Sequence, residues 1–165
     1  MIAEKLVLEE VKDLSPFCVN YFRSYKDQNY IYFLMEFIQG LELFEVIRTE
    51  GILPLEQTRF YSAILVNAFE SIHLKKIIYR DLKPENVMVC ADGYLKLIDM
   101  GTCKLMKEKT TTSLNSGKSF TIIGTPNYMA PEIISGKGYS YSADLWALGV
   151  LIFELLVGYV PFGSD

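Results

Sequence analysis

Two short apolar runs, at residues 87–90 and 94–98, are joined in the middle of the chain by Ala91-Asp92-Gly93. An Asp-Gly pair between apolar runs is typical of a β-hairpin. Because a hairpin of this length brings its two ends together, we expect the loop before it, Tyr79 to Asn86, to face the loop after it, Asp99 to Gly101.

Helical periodicity marks three other stretches. Residues 2–14 predict an amphipathic helix, a short helix over 41–49 is expected to end at Gly51, and Pro54 opens a long helix. The apolar face of the first helix is formed by Ile2, Leu6, Val7, Val11 and Leu14. The core stripe of the long helix is formed by Phe60, Tyr61, Ile64, Leu65, Ala68, Phe69 and Ile72.

Residues 17–25 and 30–38 are rich in aromatic and β-branched side chains and are separated by the polar residues 26–29. This pattern predicts a second β-hairpin, and with the helices it indicates an α+β fold. Residues 102–120 are rich in Lys, Thr, Ser and Gly without periodicity, which predicts a mobile loop.

Residues 145–163 carry a single charge, Glu154, and their hydropathy alone is that of a membrane span. A charge near the middle, two glycines and Pro161 make a poor span. A helix buried on all sides in a larger core has the same pattern, and we favour that interpretation.

The 165 residues suit one domain, and 50 % hydrophobic with 22 % charged residues indicates a globular chain. A net charge of −4 argues against a basic nucleic-acid-binding surface. Cys18, Cys90 and Cys103 lack metal-ligand spacing, so we expect free thiols in a reducing compartment. His73, the only histidine, has no second histidine or cysteine pair to form a metal site.

The two loops around the central hairpin carry the candidate chemistry. Asp81, Lys83 and Asn86 lie in the first loop and Asp99 in the second, which places two carboxylates, an amide and an ammonium around one small volume. This combination suits a bound cation and a triphosphate.

The run Tyr-Arg-Asp-Leu-Lys-Pro-Glu-Asn at 79–86, followed by Asp-Met-Gly at 99–101, resembles the catalytic and metal-binding loops of eukaryotic protein kinases. Tyr-Arg-Asp in place of His-Arg-Asp is typical of the cyclic-nucleotide-dependent (AGC-type) Ser/Thr kinases. The resemblance implies ATP and Mg²⁺ as cofactors. It also implies that Asp81 accepts or orients the proton of the substrate hydroxyl, Lys83 contacts the γ-phosphate, and Asn86 and Asp99 bind magnesium.

The same resemblance implies a nucleotide pocket. Met35 would close its back, the backbone of Glu36 and Ile38 would bind the adenine edge, and Met88 would form its floor. Glu42 would meet the ribose, and Glu85 also belongs to this nucleotide-binding set.

Substrate selection is implied by three acids, Glu42, Glu85 and Glu154, which together predict a preference for Arg-Arg-x-Ser/Thr. Thr125 is expected to bond Asp81 and Lys83 and to favour Ser/Thr over Tyr substrates. Asn127 stands where relatives have a glutamate, so one acidic contact is missing.

Thr121 matches the activating phosphorylation site of the family and would pair with Arg80 once phosphorylated. Thr110 to Ser113 and Ser119 remain alternatives. In the family Glu4 pairs with a lysine of the preceding strand and Glu132 with an arginine of a later helix, but the sequence contains neither partner. Asp144 is implied to anchor the catalytic loop. Met100 replaces the phenylalanine of Asp-Phe-Gly and is expected to fill the same space.

We expect residues 1–38 to be the end of a kinase N-lobe (helix C and a hairpin) and residues 39–165 to be most of its helical C-lobe. The Gly-rich phosphate loop, the lysine-bearing third strand and the last helices have no counterpart in the sequence. A basophilic cytoplasmic kinase acting on proteins, with a possible cyclic-nucleotide-binding regulatory region, is the first interpretation. Nucleic-acid and membrane partners are not expected. A non-catalytic module that binds substrates or partners, and an ATP-binding scaffold, are the alternatives.

Overall fold

The computed structural model describes residues 2–106, 118–121 and 123–163, apart from the side chains of residues 2 and 3. The alternative phosphorylation sites Thr110 to Ser113 lie outside these residues, as does most of the loop predicted over 102–120. The helices are α1 (Ile2–Val11), α2 (Leu43–Glu50), α3 (Leu55–Leu74), α4 (Pro131–Ile134) and α5 (Ser142–Val157), with 3-10 turns at Pro84–Asn86 and Pro126–Tyr128. The strands are β1 (Tyr21–Lys26), β2 (Ile31–Met35), β3 (Gly40–Glu42), β4 (Ile77–Ile78), β5 (Val87–Cys90), β6 (Leu95–Leu97) and β7 (Lys104–Leu105). The predicted α+β class is confirmed.

The central hairpin is present, with β5 and β6 antiparallel and Val87 opposite Leu97. β3 adds to the other edge of β5, giving the order β3-β5-β6. The predicted start of the short helix at residue 41 is wrong, because residues 40–42 belong to β3. Gly40 permits this pairing, since a Cβ at that position would lie 2.0 Å from the Val89 carbonyl oxygen.

The second hairpin is formed by β1 and β2, which pair antiparallel. It is shorter than predicted because residues 17–19 pair with β6 instead. The Val19 N–H donates to the Leu97 carbonyl at 2.8 Å, and the Leu97 N–H donates to the Phe17 carbonyl at 2.9 Å. The loop predicted from residue 102 also contains a short strand, β7, which pairs with β4 directly before the catalytic loop.

One cluster of apolar side chains unites α1, α3 and α5 with the central hairpin. Two predicted core residues lie outside it: Leu6 is 50 % exposed and Phe60 is 43 % exposed. In α1 the core position belongs to Leu8, because the helix packs against both β1 and β7 and its buried face is wider than one stripe. Phe60 lies at the edge of its stripe, where its ring meets Tyr94 of the hairpin turn.

Helix α5 is not buried on all sides. Its residues Asp144, Leu148 and Leu151 face the core, whereas Leu145 is 54 % and Phe153 37 % exposed on the opposite face. Phe162 stacks on Trp146 beside that face. Within the described residues, no helix is long and apolar enough to cross a membrane.

The first turn of α5 anchors the catalytic loop through Asp144, which is 1 % exposed. Its Oδ2 accepts from the Tyr79 N–H at 2.9 Å and lies 2.7 Å from His73 Nε2, and its Oδ1 accepts from the Arg80 N–H at 2.8 Å. Arg80 has a φ of +76°, a conformation that costs energy in a non-glycine residue. The carboxylate therefore holds a strained loop in place.

We expect Asp144→Ala to lower the free energy of unfolding by about 3 kcal/mol, because the buried N–H of Tyr79 and the partly buried N–H of Arg80 lose their acceptor. Urea unfolding followed by circular dichroism measures the change. Glu70→Ala, on the exposed face of α3, is the control and should change it by less than about 0.5 kcal/mol. Equal effects of the two substitutions would contradict the anchoring role.

We further expect the 165-residue chain to self-associate through the exposed apolar face of α5. The double variant Leu145→Glu/Phe153→Glu should sediment as a monomer at concentrations where the parent chain associates. Leu74→Glu removes another exposed leucine, 78 % exposed at the end of α3, and should leave association unchanged. A parent chain that is monomeric and melts cooperatively would refute this prediction.

Candidate active site

Three side chains hold the carboxylate of Asp81, which is 8 % exposed. Thr125 Oγ1 donates to Asp81 Oδ1 at 2.9 Å, and Lys83 Nζ lies 3.4 Å from Asp81 Oδ2. The Asn86 amide nitrogen donates to the Asp81 backbone carbonyl at 2.8 Å and to its Oδ2 at 3.1 Å. No hydrogen bond joins Thr125 to Lys83 among the described residues, so only the first of the two expected contacts of Thr125 is present.

The oxygen atoms that remain suit magnesium. Because the amide nitrogen of Asn86 faces Asp81, its oxygen is left as an acceptor. Asp99 is exposed, and its Oδ1 accepts from the Gly101 N–H at 2.8 Å. No cluster of three His, Cys, Asp or Glu residues occurs in the described part of the chain. Magnesium sites commonly combine one or two carboxylates with substrate phosphates and water.

Glu4 approaches the metal-binding loop from α1. A Cβ built on Gly101 would lie 3.5 Å from Glu4 Oε1 and 3.1 Å from Asp99 Oδ1, so the two acids flank this glycine. Glu4 has no ion pair among the described residues. Met100, which lies between Asp99 and Gly101 in the sequence, is 2 % exposed. Its sulfur lies 3.6 Å from the sulfur of Cys103, so the methionine fills a site in the core.

The predicted nucleotide edge is formed by the end of β2 and by the sheet beside it. Met35 ends β2 and packs against the core, and partly buried Ile38 does the same just beyond it. Met88 lies between Glu42 of β3 and Lys96 of β6 in neighbouring register positions.

Glu36 is tied down by contacts that the sequence did not predict. Its carboxylate binds Lys96 Nζ at 2.6 and 2.7 Å and accepts from the Asn20 N–H at 2.6 Å. The Glu36 N–H is committed to the Asn20 carbonyl at 2.9 Å. Any contact of Glu36 with an adenine edge therefore falls to its carbonyl oxygen.

Glu85 and Glu154 are close enough to influence each other. Burial raises the pKa of the Glu154 carboxyl, the hydrogen bond from the Tyr128 hydroxyl opposes that rise, and the negative charge of Glu85 adds to it. Burial and the contact with Glu154 in turn raise the pKa of Tyr128. A cation placed between the two acids would relieve their repulsion.

Arg80 connects the catalytic loop, residues 79–86, with residues 102 and 103 and with Tyr139. Its guanidinium donates to the carbonyls of Thr102 and Cys103 and to the Tyr139 hydroxyl. Thr121 is exposed, and its carbonyl accepts from the same Tyr139 hydroxyl. Arg80 and Thr121 thus share one partner.

Glu132 is partly buried, and Ser142 Oγ lies 3.4 Å from its Oε1. The described residues offer it no basic partner. The sequence likewise contains no arginine after Glu132 that could complete the family's ion pair.

Sequence reasoning did not find His73, Lys96, Tyr128 or Tyr139. His73 touches Asp144 across 71 positions of sequence, and Lys96 reaches Glu36 across 60. No local pattern reports contacts of that range. The stacking of His73 on Phe69, one helical turn earlier, is the single local sign that the ring faces inward.

Comparison with known proteins agrees with this geometry. The whole chain, residues 1–165, matches the protein kinase domain family. It is 45 % identical over 150 residues to a cGMP-dependent protein kinase of Toxoplasma gondii, covering 91 % of this chain and 14 % of that protein. It is 45 % identical to cGMP-dependent protein kinase 2 of Mus musculus, covering 98 % of this chain and 20 % of that one.

A human relative, the cAMP-dependent protein kinase catalytic subunit PRKX, is 43 % identical over 98 % of this chain and 42 % of its own length. The chain therefore spans between 14 % and 42 % of the length of these relatives. The family match covers every residue, including both loops around the central hairpin. The chain belongs to the protein kinase domain family, with AGC-type relatives among the cGMP- and cAMP-dependent kinases.

Proposed function

We propose that the protein containing this chain transfers the γ-phosphate of ATP to serine or threonine hydroxyls of protein substrates. The observation that carries the proposal is the buried carboxylate of Asp81, whose Oδ1 is bound by Thr125 and whose Oδ2 is contacted by Lys83 and Asn86. An acid fixed in this way is suited to receive a substrate hydroxyl. The relatives named as cGMP- and cAMP-dependent protein kinases support it.

Each residue has a role that its chemistry supports. MgATP supplies the phosphoryl group and the metal that offsets its charge. Asp81 accepts or orients the proton of the substrate hydroxyl. Lys83 places a positive charge beside the γ-phosphate. Asn86 Oδ1 and the Asp99 carboxylate are the metal ligands. The backbone of Glu36 and Ile38, with Met35, Met88, Glu42 and Glu85, lines the nucleotide site.

Glu154, Glu85 and Glu42 give the substrate site its preference for arginine. Burial is the main cause of the raised pKa of Glu154, and the negative charge of Glu85 adds to it. A guanidinium offers five donors to such a pair of acids. Protein substrates with the pattern Arg-Arg-x-Ser/Thr therefore fit the site. Thr125, bonded to Asp81, favours Ser and Thr over Tyr.

The proposal extends to the regulation of the protein and to its cellular location. Thr121 is exposed and is proposed as the activating phosphorylation site. A cyclic-nucleotide-binding region is proposed for the whole protein, because relatives are named for cGMP and cAMP dependence. Cys18, Cys90 and Cys103 are unpaired, and burial raises the pKa of Cys18 to about 12, so its thiol is unreactive. Free thiols suit the cytoplasm.

A non-catalytic binding module is the second candidate. No glycine-rich phosphate loop occurs within these 165 residues, and positioning the phosphates is most of what a kinase contributes. An ATP-binding scaffold would share the nucleotide edge but would not need the Asp81–Thr125 contact.

We expect the longest natural polypeptide that carries this sequence to phosphorylate an Arg-Arg-x-Ser peptide with Mg²⁺, and Asp81→Asn to lower kcat at least about 100-fold. The loss follows because the amide cannot take the hydroxyl proton. Radiolabelled phosphate transfer measures it.

The 165-residue chain alone is expected to be nearly inactive in the same assay. In the longest natural polypeptide, Asp92→Asn in the exposed hairpin turn is the control for Asp81→Asn, and it should keep full activity. Inactivity of the longer protein, with ATP still bound, would favour the scaffold. Full activity of the 165-residue chain would show that it needs no further phosphate-binding loop.

We also expect the KM for an arginine-bearing peptide to rise as the pH falls below neutrality. The pKa of Glu154 is raised, so this carboxyl takes up its proton at a higher pH than an ordinary glutamate and loses its attraction for arginine. Glu154→Gln should raise KM about tenfold and flatten the pH profile of KM, while kcat changes little.

Glu45→Gln, exposed on α2, should leave both KM and its pH profile unchanged. A peptide in which alanine replaces the arginine should show no such pH dependence with the parent enzyme. Should its KM rise equally at low pH, Glu154 does not select the arginine.

A further inference from the structure

Residues 138 and 139 contact the segment 118–121 at three points. The first is a pair of backbone hydrogen bonds, from the Ser119 N–H to the Tyr139 carbonyl at 2.8 Å and from the Tyr139 N–H to the Ser119 carbonyl at 2.9 Å. Ser119 is fully buried, and its hydroxyl accepts from Lys104 Nζ at 3.0 Å. Its burial makes Ser119 a poor alternative to Thr121 for phosphorylation.

The second contact is between Phe120 and Gly138. A Cβ built on Gly138 would lie 2.6 Å from Cε1 of the Phe120 ring, so the ring rests directly on the glycine. Gly138 also has a φ of +77°, a conformation that glycine adopts at little cost.

The third contact is the Tyr139 hydroxyl. It accepts from Arg80 Nη1 at 3.2 Å and donates to the Thr121 carbonyl at 2.7 Å. Tyr139 is 3 % exposed, so both bonds form away from water, where an unpaired polar group is costly. The hydroxyl connects the catalytic loop with the segment, and no phosphate is involved.

Arg80 approaches the same segment a second time. A Cβ on Gly124 would lie 2.7 Å from the Arg80 carbonyl oxygen, so the two backbones are in direct contact. Three donor atoms of the guanidinium already have acceptors, and the Thr121 side chain is exposed nearby. The chain on both sides of residue 122 is therefore held against the catalytic loop by contacts among its own groups.

We propose that Tyr139 is a positioning residue, whose hydroxyl holds residues 118–121 against the catalytic loop without needing a phosphate on Thr121. The inference rests on the proposed function for its consequence in catalysis. A phosphate on Thr121 then reinforces an arrangement that Tyr139 has already set, and it compensates when the hydroxyl is lost.

Hydrogen exchange of the unphosphorylated protein tests the contact without any assay of activity. In Tyr139→Phe the backbone amides of 118–121 should exchange about tenfold faster, because one bridging hydroxyl is removed from a buried site. Tyr141→Phe is the control in the same loop. Its ring packs on His73, and its hydroxyl makes no hydrogen bond in the part of the chain described. Unchanged exchange in Tyr139→Phe would overturn the proposal.

A matched glycine pair tests the surface under Phe120. Gly138→Ala and Gly136→Ala both place a side chain at positive φ, +77° and +65°, but only the first meets Phe120. Faster exchange of 118–121 in Gly138→Ala alone supports the proposal, and equal effects overturn it. This pair also serves if Tyr139→Phe does not fold.

Kinetics in the longest natural polypeptide then separates positioning from general stability. In a Thr121→Ala background Tyr139→Phe should lower kcat/KM about tenfold, whereas with Thr121 phosphorylated it should lower kcat/KM less than about threefold. Equal losses in both states would overturn the positioning role. If exchange rises as expected but the parent protein transfers no phosphate, the proposed function fails and the contact through Tyr139 stands.

Discussion

A single buried carboxylate, that of Asp144, fixes the geometry on which the rest of the site depends. An isolated charge in a protein interior is costly, and here hydrogen-bonding groups from two other parts of the chain offset that cost. They come from the end of α3 and from the backbone of the catalytic loop. The loop reaches Asp81 only through the left-handed conformation of Arg80, and Asp144 is the group that holds it there.

The sequence was sufficient for the parts of the fold that repeat a local pattern. The Asp-Gly turn located the central hairpin, helical spacing located α1 and α3, and the long apolar run 145–163 located α5. The boundaries of the buried helix faces were predicted less well, because helical periodicity identifies the direction of a buried face but not its width. Leu8 is buried and Phe60 is not because the neighbours of α1 and the hairpin turn set those widths. Gly40 joined a strand because its missing side chain lets Val89 approach.

The residues of the site also divide into those that a local sequence pattern identified and those that it did not. Asp81, Lys83, Asn86 and Asp99 stand in a short run with distinctive spacing, and their resemblance to kinase loops named them before any contact was known. Lys96, Tyr128 and Tyr139 act through partners far away in sequence, and lysine and tyrosine occur at so many surface positions that neither signals a contact. Glu36 was chosen for its backbone, although its side chain also binds Lys96.

The Glu36–Lys96 ion pair links the two ends of the proposed nucleotide site. Lys96 precedes Asp99 by three residues, so the two are at most about 11 Å apart along an extended chain. Residues 95–97 are held in the sheet on one side and against residues 17–19 on the other. This stretch is therefore short and is held in place on both sides. A displacement of Glu36, at the proposed adenine edge, would therefore be passed through Lys96 to Asp99, the proposed metal ligand.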